Sequence, residues 1–422
     1  MERIVLRDVC DIIDGPHATP TKTESGPVYL GIDAITEDGR LNEADFAHLS
    51  VEDYKKWTRR VTPTEGDIVF SYEATLGRYA VIPKGFYGCL GRRLAVIRNR
   101  SEAINTKWLY YYFRSPEWDA FIRRNTIKGS TVNRISVEDF PNYTIPAVKR
   151  EQQDRIAGIL GAIDKKISTN NAVNDNLAQQ LRLLYDYWFT QFDFPDESGK
   201  PYRSSGGQMV WSDDAKKEIP ASWNSTKMSD AIEGIRTGLN PRDNFKLGSG
   251  TIKYITVKNL RSDGILDFSG CDTIDETARA IVHRRSDVCT GDILFASIAP
   301  LGRCHLVQEL PQDWDINESV FSIRCNKATV TPEYLYMHLQ SETFVKESTA
   351  CSTGSVFKGI RINTLLDSRM LLPPMQVVDK FSQQTKPFFS LQYKLNKEIQ
   401  ALTQLRDWLL PMLMNGQATI SD

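Results

Sequence analysis

Gly66-Asp67-Ile68-Val69-Phe70 returns as Gly291-Asp292-Ile293-Leu294-Phe295, 225 residues further along the chain. Around that match, Leu76-Gly77-Arg78 falls on Leu301-Gly302-Arg303, Arg59-Arg60 on Arg284-Arg285, and Asp38-Gly39 on Asp263-Gly264, all at one offset. Tyr29-Leu30-Gly31-Ile32 falls likewise on Tyr254-Ile255-Thr256-Val257. Beyond this stretch the register drifts by only a residue or so, through Lys107-Trp108-Leu109-Tyr110 on Glu333-Tyr334-Leu335-Tyr336 and Gly129-Ser130 on Gly354-Ser355. So long a period marks a duplicated domain rather than a solenoid array. One scaffold used twice with divergent surface residues suggests a molecule that reads two related things.

At 422 residues with 41% hydrophobic content, the chain can bury two independent cores. No apolar run is long enough to span a bilayer, and Met1-Glu2-Arg3 leads straight into a strand-like segment rather than a signal peptide. The expectation is a cytoplasmic protein without a membrane partner. The seven cysteines are scattered and odd in number, which suits buried thiols better than disulfides or a zinc site. A net charge of -1 argues against a whole-molecule electrostatic sponge for nucleic acid and leaves room for a local basic face.

In the first copy, residues 28–32, 67–71, 79–82 and 94–98 read as short strands rich in β-branched and aromatic residues, separated by Gly, Pro and Asp turns. Residues 107–114 have helical spacing, as do residues 136–140, with Ser136 as N-cap. Pro141 and Pro146, and Pro373-Pro374 in the second copy, precede long helical segments.

In the first of these, Ile156, Leu160, Ile163, Ile167, Asn170, Asn174, Leu177, Leu181, Leu184 and Trp188 alternate steps of four and three, the seam of a coiled coil. Roughly 35 helical residues make a rod of about 50 Å. In the second, Phe388, Leu391, Leu395, Leu402, Leu405, Leu409 and Met412 form a comparable stripe, closed by Asn415-Gly416. Pro387 is expected to restart or kink that helix. The two stripes are expected to bury against each other, and because a module intervenes either orientation is sterically possible. Asn170 and Asn174 read as register-setting seam positions. Between the copies, residues 193–223 form a linker by composition, with Trp211 and Trp223 suggesting that it packs on something.

These residues carry a family resemblance. Residues 146–167, with Glu151-Gln152, Ile156-Ala157, Leu160 and Asp164, resemble the central region of specificity (S) subunits of type I restriction-modification systems, as does the run from Leu181 through Trp188-Phe189 to Phe194-Pro195. Residues 402–416 resemble the same family's distal repeat, although Met375-Gln376-Val377 stands where a Glu-Gln pair is expected. The resemblance implies an α+β fold: two similar mixed α/β target-recognition domains joined by two long helices packed as an antiparallel coiled coil. The corresponding boundaries are 1–147 and 223–374 for the recognition domains, 148–192 and 375–416 for the helical regions, 193–222 for the linker and 417–422 for a tail.

It further implies a non-catalytic DNA reader, each domain recognising one half of a bipartite double-stranded site. The helices would set the gap and dock methyltransferase (M) subunits, two of them, through Ile156, Leu160, Ile163, Leu177, Leu181, Leu395, Leu402 and Leu409. Restriction (R) subunits are a further candidate partner. No cofactor is expected in this chain; S-adenosylmethionine, and ATP with Mg, belong to partner subunits. Consistent with this, the sequence shows no dinucleotide fingerprint and no phosphate loop, and Ala299-Pro300-Leu301 is not an amino-methyltransferase signature. The five histidines are far apart, and His338 reads as a packing or surface residue.

DNA contact requires phosphate neutralisation and groove hydrogen bonds. Candidates in the first module are Arg59, Arg60, Arg78, Arg92, Arg93, Lys128, Ser130, Asn133 and Arg134. In the second they are Lys258, Arg261, Arg284, Arg285, Arg303, Ser355, Lys358 and Arg361. Repeat-matched positions suit scaffold or phosphate contacts and divergent ones suit base reading, as in the change of Asp33-Ala34 to Lys258-Asn259. Plainer readings stand beside these. Gly66-Asp67 and Gly291-Asp292 suit a β-turn before a buried strand; Arg78 and Arg303 could pair with internal carboxylates; Arg59-Arg60 could be a solvated pair; and Tyr110, Tyr111, Tyr112 and Trp118 suit a packing helix.

Overall fold

The computed structural model describes residues 2–129, 132–352 and 359–418. The chain forms two compact units, Met1–Ser168 with Gln400–Asp422, and Thr169–Ile399. Each contains one copy of the same α+β module.

In the first unit, Arg3–Val5 pairs antiparallel with Thr144–Pro146. A four-stranded antiparallel sheet follows in the spatial order Cys10–Asp14, Leu94–Asn99, Ile68–Ser71, Tyr79–Val81. A three-stranded mixed sheet has Thr23–Leu30 at its centre, antiparallel to Ala47–His48 and parallel to Gly88–Leu90. The second unit repeats this plan. Asn224–Lys227 pairs with Arg369–Leu372, the large sheet runs Ile232–Thr237, Val320–Cys325, Ile293–Ala296, Cys304–Leu306, and Ile252–Ile255 centres the small sheet between Asp272–Ile274 and Trp314–Ile316. The central strands are buried on both faces, which their Ile, Val and Phe content requires.

Helix pairs pack on the large sheets: Thr106–Phe113 with Pro116–Arg124, and Pro332–Gln340 with Glu342–Ala350. Ser115 caps Pro116, and Thr331 caps Pro332, each placing proline where the missing N–H has no intrahelical partner. Tyr110, Tyr111, Tyr112 and Trp118 are buried, so the packing-helix reading holds for them. Residues 136–140 differ from expectation. They form a turn in which Ser136 Oγ accepts from Asp139 N (3.2 Å), leading into a single 3-10 turn, Phe140–Asn142. Pro141 leaves too little chain for a helix.

The long helices run Arg150–Tyr185, followed by a π-helical turn Asp186–Thr190, and Met375–Met414. They pair antiparallel. In the second unit Asn170 Nδ2 donates to Glu398 Oε2 (2.8 Å) and Asn174 Nδ2 to Asn396 Oδ1 (2.6 Å); in the first, Arg406 Nη1 donates to Asp164 Oδ1 (3.0 Å). The buried asparagines thus meet polar partners across the seam, the arrangement that fixes register. Pro387 does not interrupt its helix. Gln383, whose carbonyl loses its i+4 donor, is exposed like Pro387 itself, where water can replace that bond. Leu391 and Leu405, placed on the seam by periodicity, are 42% and 43% exposed, while Arg406 takes a buried place. At the end of the helix Gly416 adopts φ +69° and Gln417 N donates to Met412 O (2.9 Å), a Schellman closure.

The segment read as a linker is folded instead. Met209–Ser212 and Lys217–Pro220 make an antiparallel hairpin, and Phe194 stacks between Tyr202 (4.7 Å) and Trp223 (5.3 Å) in the second unit's core. Its glycines and prolines make turns between these anchors. Trp223 packs as expected, whereas Trp211 is 62% exposed.

Candidate nucleic-acid interface

The duplicated Gly-Asp-Ile element is scaffold. Gly66 and Gly291 hold φ of +88° and +90°, a conformation that favours glycine. Asp67 Oδ2 accepts from Thr64 N and Asp292 Oδ2 from Cys289 N, both at 2.9 Å, closing the same turn. Each carboxylate is buried and takes a bidentate pair from an arginine on the adjacent strand. Arg98 reaches Asp67 at 2.9 and 2.6 Å, and Arg324 reaches Asp292 at 2.8 and 2.9 Å. These hydrogen bonds raise the pKa of both guanidiniums against the opposing effect of burial. The β-turn reading of Gly66-Asp67 and Gly291-Asp292 therefore holds. Arg98 and Arg324 escaped sequence reading because they lie 31 and 32 residues from their partners, in a register that has drifted.

Several basic candidates are tied to the module's own framework. Arg78 Nη1 donates to Ile35 O (3.0 Å) and Nη2 lies 3.7 Å from the exposed Glu37 carboxylate, so its pairing is with a carbonyl and a surface acid. Arg60 pairs with Asp14 (2.7 Å), which also meets His17 (2.8 Å). Arg261 forks onto Asp263. Arg59, Lys258, Arg284 and Arg285 are exposed, the last two in the final turn of Glu276–Ser286, and Arg303 is half-buried. Ser130, Ser355 and Lys358 lie outside the described residues.

A second group converges at one end of the four-stranded sheet. The turn Gly91-Arg92-Arg93 joins Gly88–Leu90 to Leu94–Asn99, tying the small sheet to the large one. Tyr72 Oη donates to Arg92 O (2.7 Å), and Tyr72 N to Arg93 O (3.2 Å). The loop after Pro116–Arg124 docks beside it. Ile135 N donates to Tyr72 O (2.7 Å), Ala74 N to Asn133 O (3.3 Å), and Arg134 bridges both Glu73 and Ile127 through its backbone. Arg93 Nε sits 3.7 Å from Glu73. Burial pushes the Tyr72 phenol up to about 12, with Asp14 and Glu73 adding to the shift and Arg60 and Arg92 opposing it, so these charges share one locality. The fold thus gathers Arg92, Arg93, Asn133 and Arg134, with exposed Lys128 beside the Ile127 bridge.

The second module builds the same end from different residues. Ser297 N donates to Ser319 O (3.1 Å), and Ile360 N to Ser297 O (2.8 Å) beside the Ile298 and Gly359 bridge. Exposed Arg361 follows. Asn317-Glu318-Ser319 occupies the turn held by Gly91-Arg92-Arg93. An acid was not among the sequence candidates, because basic residues are the usual signal for DNA contact.

The proposed docking leucines behave otherwise than a free surface would. Ile156 and Leu160 are buried in the first unit's core, and Leu177 and Leu181 in the second unit; Ile163, Leu395, Leu402 and Leu409 are partly buried. Their seam is filled by the chain itself, so the outward faces carry Ile159, Leu405 and Trp408 in the first unit and Leu183, Tyr187 and Leu391 in the second. Among the described residues no cluster of His, Cys, Asp and Glu is arranged to hold a metal, and no helix is long and apolar enough to cross a membrane. His338 packs against Phe344 (5.2 Å), and burial with nearby Lys217 lowers its pKa to about 4.

Duplicated α+β modules and paired antiparallel helices are the features to set beside known proteins. Residues 1–179 match the type I restriction modification DNA specificity domain. The chain is 21% identical over 369 residues to the type I restriction enzyme MjaIX specificity subunit of Methanocaldococcus jannaschii, covering 87% of this chain and 81% of that one. It is 19% identical to the HindI specificity subunit of Haemophilus influenzae, covering 84% and 86%. The fold matches the crystal structure of a type I restriction-modification S subunit from M. genitalium with a TM-score of 0.56, at 16% identity over 98% of this chain and 95% of that one. The chain is thus similar, over most of its length, to specificity subunits of type I restriction-modification systems.

Proposed function

We propose that the modules within residues 1–147 and 223–374 each read one half of a bipartite duplex site, and that the helical regions 148–192 and 375–416 set the gap and dock two methyltransferase subunits. The supporting observation is the pair of sheet ends, which share several backbone hydrogen bonds and differ in side chains. Two readers of one DNA backbone share phosphate-facing structure and differ where bases are met. Arg92, Arg93, Lys128, Asn133 and Arg134 serve the first half-site, and Arg361 with Lys358 and Ser355 the second. Arg59, Lys258, Arg284 and Arg285 are the further exposed cations available to phosphate. The outward helix faces, including Trp408, Leu405 and Leu183, receive the partner. S-adenosylmethionine, and ATP with Mg where a restriction subunit joins, reside on those partners, and the complex works in the cytoplasm.

The test is sequencing of methylated DNA from cells carrying this chain with its methyltransferase, followed by methylation of a randomised duplex library. A bipartite motif is expected. Lys128→Ala with Arg134→Ala should degrade one half of it, and Lys358→Ala with Arg361→Ala the other, each contact to a base being worth about 1 to 3 kcal/mol. Methylation or cleavage by the chain alone, or duplex binding insensitive to salt, would overturn the reading.

A further inference from the structure

We infer that the turn between the small and large sheets is a base-reading position of opposite polarity in the two modules, with Arg92 reading guanine and Glu318 reading the amino group of cytosine. This rests on the half-site reading above. The two turns share three backbone hydrogen bonds. Gly91 N donates to Leu30 O and Asn317 N to Ile255 O, both at 2.8 Å. Leu94 N donates to Gly91 O (3.1 Å) and Val320 N to Asn317 O (3.3 Å), while Tyr72 N and Ser297 N donate to Arg93 O and Ser319 O. A side-chain hydroxyl braces each turn as well, Tyr72 Oη on Arg92 O and Ser297 Oγ on Ser319 O, both at 2.7 Å. On this common frame stand an arginine and a glutamate.

Charge decides what such a position can touch. Phosphates are alike in both half-sites, so a phosphate contact calls for a cation in both modules, and a carboxylate there is repelled. Base edges differ in polarity. Guanine presents two major-groove acceptors, N7 and O6, which match an arginine fork, and cytosine presents the N4 amine, which a carboxylate accepts. Arg92 is exposed, and its side chain has no hydrogen-bond or ion-pair partner among the described residues. Glu318 is half-buried and oriented. Asn240 Nδ2 donates to Oε1 (2.7 Å), while Oε2 is covered and has no donor among the described residues, so a base amine reaches it only when the side chain turns outward from its cover.

The full chain with its methyltransferase is used to select from a randomised duplex library, comparing wild type, Arg92→Ala, Arg92→Lys and Glu318→Gln, with melting curves to verify folding. Arg92→Ala should relax a guanine at one position of one half-site by about 5- to 150-fold, and Lys should restore overall binding without restoring that preference. The nearly isosteric Glu318→Gln should relax a cytosine in the other half-site and leave the first unchanged. Uniformly weaker binding with an unaltered motif, rescued by Lys, makes Arg92 a phosphate contact and overturns the inference while the half-site reading stands. An unaltered motif in Glu318→Gln overturns it for the second module. A wild-type complex that selects no motif removes the half-site reading and the inference together.

Discussion

The two units add different contacts to the apolar junction between module and long helices. In the first, Tyr111 Oη donates to Asp164 Oδ2 (2.6 Å), and Arg406, 8% exposed, donates to Asp164 (3.0 Å) and Asp407 (3.0 Å). In the second it is dominated by edge-to-face rings, Tyr334 with Phe189 (4.7 Å), Phe189 with Phe381 (4.9 Å) and Tyr336 with Phe389 (5.3 Å), beside a hydrogen bond from Ser382 to the buried Glu333 carboxylate. A buried ion pair recovers in Coulomb attraction roughly what it loses in desolvation, so packed rings are an energetically comparable substitute. The duplicated scaffold therefore constrains the shape of the junction more than its chemistry. Its fixed points are elsewhere, in the Asp67–Arg98 and Asp292–Arg324 pairs, where both copies retain the same groups in the same geometry.

The comparison can be broken most forcefully at Phe381, which is fully buried and touches Tyr185, Trp188 and Phe189. Phe381→Ala should destabilise the second unit by about 3–5 kcal/mol, read by hydrogen exchange of its amides. A much smaller loss would mean that the ring cluster is not what holds that junction.

The fixed points should respond alike in both copies. Arg324→Leu strands the buried Asp292 carboxylate and should cost about 3 kcal/mol. Arg98→Leu should cost somewhat less, because its side chain is 34% exposed against 19% for Arg324 and water can relieve Asp67 more readily. Urea unfolding of the two variants would refute the shared role if only one lost stability.

Asp164→Asn should have the smallest effect, about 2 kcal/mol in the first unit, since Arg406 retains Asp407. Hydrogen exchange confined to that unit is the expected signature; an equal response in the second unit would contradict a local role for Asp164.

Much of this was legible in the sequence because it is written locally. The Gly-Asp-Ile turn needs a glycine at positive φ and a carboxylate at the next residue, so its repetition announces the same turn twice. Helical periodicity placed Ile156, Leu160, Leu177 and Leu181 on buried faces. The same periodicity failed at Leu391, Leu405 and Arg406, where the facing residues, not the spacing, settle what is buried. Composition failed over residues 193–223 because glycine and proline mark turns equally well in a linker and in a packed hairpin.

By itself the sequence determined that one α+β scaffold occurs twice, that each copy leads into a long amphipathic helix, and that the chain resembles type I specificity subunits. Only the tertiary structure decided that Arg98 and Arg324 secure the repeated aspartates, that Asp164 meets Arg406 across antiparallel helices, and that Glu318 occupies the place of Arg92. The physical reason is range. Turns and helical stripes are fixed by residues a few positions apart, whereas ion pairs across strands and equivalence between drifted registers exist only once the backbone hydrogen bonds have brought distant segments together.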